Sequence, residues 1–214
     1  IGLLSFQGNK LNSVKNYSLK YLHNYINNIK HTYNHKITFA IIEKELFDAM
    51  VADISNPDVS GVTIAEDMCK NYVADFYTFS NKAGQYDVGG LYYVYTPQKE
   101  TIYLQARDEF YKFINKYINE YKSENLLEVN SIEASSTIPT EKYAFVLSGT
   151  NEDGEEYWYD EEYETYNVKC TWTYIENAIF NSSKYTKEMN FVVINNNGSI
   201  NETLDAILKN MRNL

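Results

Sequence analysis

Two histidines near the N-terminus have a spacing that could do chemistry. His31 and His35 stand four residues apart in a segment with helical periodicity, so both imidazoles could lie on one helix face and bind a metal ion. However, no Glu follows His31 in an HExxH pattern, and Lys30 and Lys36 flank the pair. The pattern therefore favours solvated histidines at a helix end, and we predict no metal site.

An acidic run offers a second possible site, because its carboxylates could supply oxygen ligands for calcium. Its members are Glu152, Asp153, Glu155, Glu156, Asp160, Glu161, Glu162 and Glu164. Their spacing does not match an EF-hand loop, and like charges on a hairpin are usually solvated and repel one another. A docking patch for a basic partner fits the run better than a calcium site does, and the sequence leaves its role open.

Nucleophilic catalysis would need a Cys or Ser beside a His base, and the pattern does not supply one. The three histidines of the chain all precede residue 36, whereas Cys69 falls in a predicted helix and Cys170 in a predicted strand. Neither cysteine belongs to a CxxC or Cys/His metal spacing. Both lie in apolar patterns typical of buried free thiols, although the sequence leaves open whether they pair.

A carboxylate general base is the remaining catalytic possibility. Asp75 or Asp108 could abstract a proton if it faced a sheet from its helix, although most such carboxylates are surface residues or caps. We therefore predict no catalytic, cofactor-binding or metal-ligating residues.

Net charge and composition further limit the classes of function that the protein could have. The formal net charge of −10 would repel nucleic-acid phosphates, which excludes direct binding of DNA or RNA as an expectation. The hydrophobic fraction of 44% is typical of a globular chain, and 21 Tyr residues suit clefts and interfaces. The opening IGLLSF, without Met, is typical of a chain cut just after a membrane anchor or signal, or of an ordinary helix start or tag remnant.

The stretch from Gln98 to Tyr121 is the element around which the rest is predicted to be arranged. Its periodicity predicts one long helix with an apolar stripe formed by Ala106, Phe110, Phe113, Ile114, Tyr117, Ile118 and Tyr121. We expect this stripe to be covered by a strand from Tyr166 to Ile175, so that Phe113→Ala costs about 3–5 kcal/mol as a core truncation.

The other segments alternate between the two kinds of periodicity. Before the long helix, helices are predicted from about Asn12 to Asn34, from Ile41 to Ile54, and from Thr63 to about Ser80 with Thr63 and Glu66 as a capping box. After it, strands are predicted around Leu127–Ser131, Tyr143–Ser148, Tyr166–Ile175 and Met189–Ile194, followed by a closing helix from Leu204 to Met211.

Pro57 and Gly61, among polar residues, mark the clearest break in the chain. We therefore predict an N-terminal helical extension, residues 1–56, and a main α+β domain, residues 62–214. In this fold class, N-terminal helices are followed by a curved antiparallel sheet packed on a long helix.

Residues 62–200 are similar in pattern to the cone-shaped nuclear transport factor 2 superfamily. The matching pieces are EDMCKNYVADFYTF, QARDEFYKFINKYI, LEVNSIEA, KYAFVLSG, YNVKCTWTYI and MNFVVINNNG. Within that superfamily the chain looks most like the extracytoplasmic domain of type IV secretion assembly factors, including TcpC-type conjugation proteins of Gram-positive bacteria. It departs from them in its long helical extension, its single domain and its acidic hairpin.

The resemblance implies a non-enzymatic scaffold at the extracytoplasmic face of the cell membrane. Such a scaffold is held by an N-terminal membrane anchor and acts through self-association and contacts with other secretion-channel proteins. The alternatives are a small-molecule-binding protein or enzyme with a pocket between the long helix and the sheet, or a phage structural protein. A deep pocket lined by Tyr and a buried Asp would favour the binder or enzyme, and a filled aromatic core would favour the scaffold.

Overall fold

The computed structural model describes residues 2–6, 41–56, 58–95, 98–137, 142–150 and 153–195. Within these ranges the chain has the α+β class that the sequence predicts. Its elements are β1 (Gly2–Phe6), α1 (Ile41–Ile54), α2 (Gly61–Tyr77), α3 (Lys99–Gln105), α4 (Ile114–Tyr121), β2 (Val129–Thr137), β3 (Lys142–Thr150), β4 (Glu156–Tyr174) and β5 (Glu188–Asn195).

Strand β4 organises the sheet because it is long enough to pair with two strands along one edge. Its first half, residues 156–164, pairs antiparallel with β3, and its second half, residues 167–174, pairs antiparallel with β2. On the other edge β4 pairs antiparallel with β5, which in turn pairs parallel with β1. The predicted strand from Tyr166 was therefore too short, because the acidic run continues into it as a paired strand.

The inner face of β4 follows the predicted alternation. Tyr166, Val168, Cys170, Trp172 and Tyr174 are buried, whereas Asn167, Lys169 and Thr173 are exposed. Helix α2 covers this face with the apolar stripe that its periodicity predicts. Burial of one face of the sheet against one helix makes the core of the described part of the chain.

The start of α2 differs from the predicted capping box. Ser60, not Thr63, is the N-cap, and its Oγ accepts a hydrogen bond from the Thr63 backbone N–H at 3.2 Å. Glu66 reaches away from the helix start and accepts the backbone N–H of Ser136 in β2 at 2.8 Å. The Glu66 carboxylate, which the local pattern assigned to the helix cap, therefore binds a residue of β2 instead.

The predicted single helix from Gln98 to Tyr121 is interrupted. After α3, residues Ala106–Phe110 form a π-helical segment, and a short turn precedes α4. The Tyr111 N–H bonds to the Ala106 carbonyl at 2.7 Å, a five-residue step that adds one residue to the turn and rotates the side chains that follow. The expected aromatic stripe is therefore not continuous.

The segment predicted as an extension shares the core and the sheet with the rest. Helix α1 packs against α2 through Met50, Val51 and Ile54, which belong to the same buried cluster. Strand β1 is an edge of the sheet, so residues Gly2–Phe6 are not a helix start. The described parts of residues 1–56 thus have no core of their own. The predicted helices at 12–34 and 204–211 lie outside the described residues.

Candidate binding groove

A cavity of about 290 Å³ opens between the interrupted helix and the end of the sheet. We call it the aromatic groove. It is lined by Tyr77, Phe79, Phe110, Phe113, Ile114, Tyr117, Leu126, Leu127, Tyr174, Phe180, Lys184, Tyr185 and Thr186.

The π-helical segment sets the near wall of the aromatic groove. It turns Tyr111 into the core, where the side chain is fully buried and its hydroxyl donates to the Phe76 carbonyl at 2.5 Å. That carbonyl lies in the last turn of α2, where helix carbonyls have no partner within the helix. Because Tyr111 takes the inward place, Phe110 and Phe113 are left on the wall, where 43% and 55% of each residue is exposed.

The far wall is a loop that joins β4 to β5. The Phe180 ring meets the ring of Tyr121 at 5.3 Å and that of Tyr117 at 6.0 Å, both nearly perpendicular. Asn177 holds the loop in place, because its Oδ1 accepts the N–H of Phe180 at 3.1 Å and its Nδ2 donates to the Asn125 carbonyl at 2.7 Å. The two walls are therefore tied together by both ring contacts and hydrogen bonds.

The rings at the rim are more exposed than large apolar side chains usually are. Tyr117 is 41% and Tyr185 is 39% exposed, and Ile175 and Ile179 on the same loop are also exposed. Exposed apolar side chains around a concave centre are typical of a contact site. The aromatic groove can therefore receive an apolar or aromatic group.

The polar groups of the aromatic groove are few. Among the described residues that line it, Lys184 is the one cation, and none is a carboxylate, a histidine or a cysteine. The Tyr174 hydroxyl donates to the Thr186 carbonyl at 3.1 Å. Burial raises the pKa of Tyr174 and of Tyr185, so both hydroxyls stay protonated at neutral pH. This lining can bind and orient a ligand through its rings, its hydroxyl groups and the side chain of Lys184.

Neither predicted candidate for a general base belongs to the lining. Asp75 accepts hydrogen bonds from Lys82 Nζ and from the Gly90 backbone N–H, both at 2.6 Å, and so fastens the loop after α2. Asp108 is exposed and paired with Arg107, whose hydrogen bonds lower the pKa of the Asp108 carboxyl. Both carboxylates have structural partners.

The structure also places the other residues that the sequence singled out. Cys69 and Cys170 are free and buried, as the apolar patterns predicted. His31 and His35 lie outside the described residues. Within the described ranges, no group of three or more His, Cys, Asp or Glu side chains could hold a metal ion.

Sequence reasoning missed the far wall of the aromatic groove. Phe180 and Tyr185 stand among polar residues in NAIFNSSKY, where no periodicity assigns them to an element. The only available signal was the presence of large apolar residues in a loop that is otherwise polar.

In the described part of the chain, none of the helices combines the length and the apolar character needed to cross a bilayer. A scan against protein-family models, a search of curated proteins and a search of solved structures each found no match for this chain.

Proposed function

We propose that this protein is a non-enzymatic scaffold whose aromatic groove binds an apolar side chain of a neighbouring protein subunit, either a second copy or another component of a cell-envelope assembly. The observation that carries this proposal is the exposed aromatic rim around the cavity. Such rims are enriched at protein interfaces, where Tyr and Phe act as anchors in desolvated pockets.

The chemistry of the lining supports binding over catalysis. A hydrolase or isomerase site would need a nucleophile or a base within reach of the substrate. The lining instead offers rings, the hydroxyls of Tyr117 and Tyr185, and the ammonium group of Lys184. These groups suit an apolar side chain with a nearby acceptor, such as a backbone carbonyl or a carboxylate.

The cellular setting that we propose is the extracytoplasmic face of a Gram-positive membrane, in a conjugative type IV secretion system. This part of the proposal rests on the resemblance to nuclear transport factor 2-like assembly factors, with their cone-shaped fold. The order of the elements that follow β1, with the helices before the antiparallel strands β2 to β5, supports it. In this setting an N-terminal anchor holds the chain at the membrane, and its contacts are with itself and with other channel proteins.

A small-molecule binder is the second candidate. The specific observation in its favour is the cavity itself, since about 290 Å³ approaches the lower limit of typical ligand pockets. An occupant of this kind would be flat and apolar, because rings form both walls.

Site-specific photo-crosslinking separates the two candidates. A benzoylphenylalanine at Phe113, introduced into the full chain in the cells that produce it, should cross-link to one discrete protein, either a second copy or another subunit. Tyr86 is the matched control, because it is an aromatic residue that is 66% exposed and outside the lining. The same reagent there should give no such product.

Native mass spectrometry of the purified chain completes the comparison. If position 113 gives no more product than position 86 and the protein carries a stoichiometric small molecule, the scaffold proposal is wrong. The proposed setting has its own test: genes for secretion ATPases and a relaxase should lie beside the gene for this chain.

A further inference from the structure

The two cysteines of the chain both lie in the core, although 100 residues separate them in the sequence. Cys69 lies in the middle of α2 and Cys170 in the inner face of β4, and neither has any exposed surface. Both are free thiols in this structure and belong to one buried cluster.

Two contacts on either side of the pair align α2 with β4. Near the start of the helix, Gly61 approaches the Tyr166 hydroxyl so closely that a Cβ on Gly61 would lie 2.3 Å from it. Near the helix end, the ring centroids of Tyr77 and Trp172 are 4.4 Å apart. The helix and the strand therefore run side by side in the same direction.

This alignment places Cys69 and Cys170 at about the same distance along the parallel axes of α2 and β4. Eight helical residues from Gly61 to Cys69 rise about 12 Å, and four strand residues from Tyr166 to Cys170 span about 13 Å. The residues one helical turn from Cys69 on the same face, Ala65 and Val73, are also fully buried and small, which allows a close approach of helix and sheet.

The electrostatics of Cys69 agree with this adjacency. Burial raises the pKa of its thiol well above the ordinary value, and the side chain of Cys170 is the next contribution in the same direction. A protonated, buried thiol is a poor nucleophile. Exchange with an outside disulfide must therefore take place during folding, before α2 closes over the sheet.

We propose that Cys69 and Cys170 form a disulfide that joins α2 to β4 when the chain folds in an oxidising compartment. The oxidant is a disulfide of a thiol–disulfide exchange catalyst or of glutathione. One cysteine thiolate attacks it to give a mixed disulfide and release the first thiol. The second thiolate then attacks the mixed disulfide, which forms the Cys69–Cys170 bond and releases the second thiol. Two electrons and two protons end on the oxidant, which becomes two thiols.

The test is oxidative refolding of the full chain. The protein is unfolded with reductant and diluted into a buffer with oxidised and reduced glutathione. After quenching, it is alkylated under denaturing conditions and weighed by mass spectrometry. We expect a monomer that is lighter by two hydrogen atoms and carries no alkyl group. Because the bond closes a loop of about 100 residues, we also expect a melting temperature roughly 5–15 °C above that of the reduced protein, reversible with reductant.

Cys69→Ala and Cys170→Ala are the matched variants, and each should remove the shift in melting temperature between oxidising and reducing buffers. If either variant fails to fold, the wild-type mass and its response to reductant still decide the question. Alkylation of both cysteines, a glutathione adduct, a disulfide-linked dimer, or a cross-linked monomer that melts below the reduced form would each overturn the proposal.

Discussion

Truncation of Tyr111 should destabilise the protein far more than truncation of Phe113, although two positions separate them in the same helical stretch. A regular helix with the predicted stripe would have made Phe113 a core residue with a truncation cost of about 3–5 kcal/mol. The π-helical segment reverses this order, because it buries Tyr111 completely and leaves Phe113 55% exposed.

The magnitudes follow from burial and from one hydrogen bond. Full burial of a large apolar side chain contributes about 1.5–3 kcal/mol, so a half-exposed Phe113 should contribute about 1 kcal/mol. Tyr111→Ala removes a fully buried ring and should cost about 3–5 kcal/mol. Tyr111→Phe keeps the ring but leaves the Phe76 carbonyl without its donor at the end of α2, which should cost about 1–2 kcal/mol.

Urea unfolding followed by tryptophan fluorescence measures all three variants, since Trp172 is buried in the core beside Tyr77. Equal slopes with shifted midpoints would show that the change is one of stability. The reasoning is refuted if Phe113→Ala costs as much as Tyr111→Ala, because the stripe would then pack as an uninterrupted helix.

Three further variants test other features of the structure by the same unfolding measurement. Lys122→Gly should stabilise the protein by about 1 kcal/mol, because this residue has φ 70° and ψ 151°, a conformation that favours glycine; an unchanged or lower stability would contradict this backbone. Asp67→Asn should stabilise the protein at neutral pH, because burial and then the nearby Asp53 raise the pKa of Asp67. A raised pKa means that the wild type loses stability as pH rises through it, so the advantage of the variant should vanish in acid; a constant difference across pH would refute this. Asp75→Asn should cost roughly 3 kcal/mol, since it leaves the buried ammonium of Lys82 without its carboxylate; an effect near zero would mean that the pair is not formed.

Much of the local structure could be predicted because it depends on neighbours in the sequence. Helix α1 has the predicted bounds, Ile41–Ile54, and the alternation after Tyr166 correctly assigned the inner and outer faces of β4. The cap of α2 could not be predicted in the same way, because Glu66 accepts a hydrogen bond from β2, and local sequence rules do not include contacts with distant strands.

The candidate site depended on one extra residue in a helical turn. The π-helical segment buries Tyr111 in the core and leaves Phe110 and Phe113 exposed. The hydrophobic periodicity of the sequence does not predict such a segment. The far wall comes from a loop whose position depends on Asn177 and on ring contacts with α4. Sequence patterns therefore could not predict the aromatic groove, although they assigned several of its residues to the apolar stripe of the predicted helix.

The sequence by itself determined the bounds of α1 and which faces of α2 and of β4 after Tyr166 are apolar, because side chains repeat every 3.6 residues in a helix and every two in a strand. Only the tertiary structure decided which faces meet. It paired the two halves of β4 with different strands, added β1 to the edge beside β5, opened the aromatic groove and placed Cys69 and Cys170 in one buried cluster. These outcomes depend on contacts between distant segments, and the physical reason is that their energies are set by packing and not by the order of neighbouring residues.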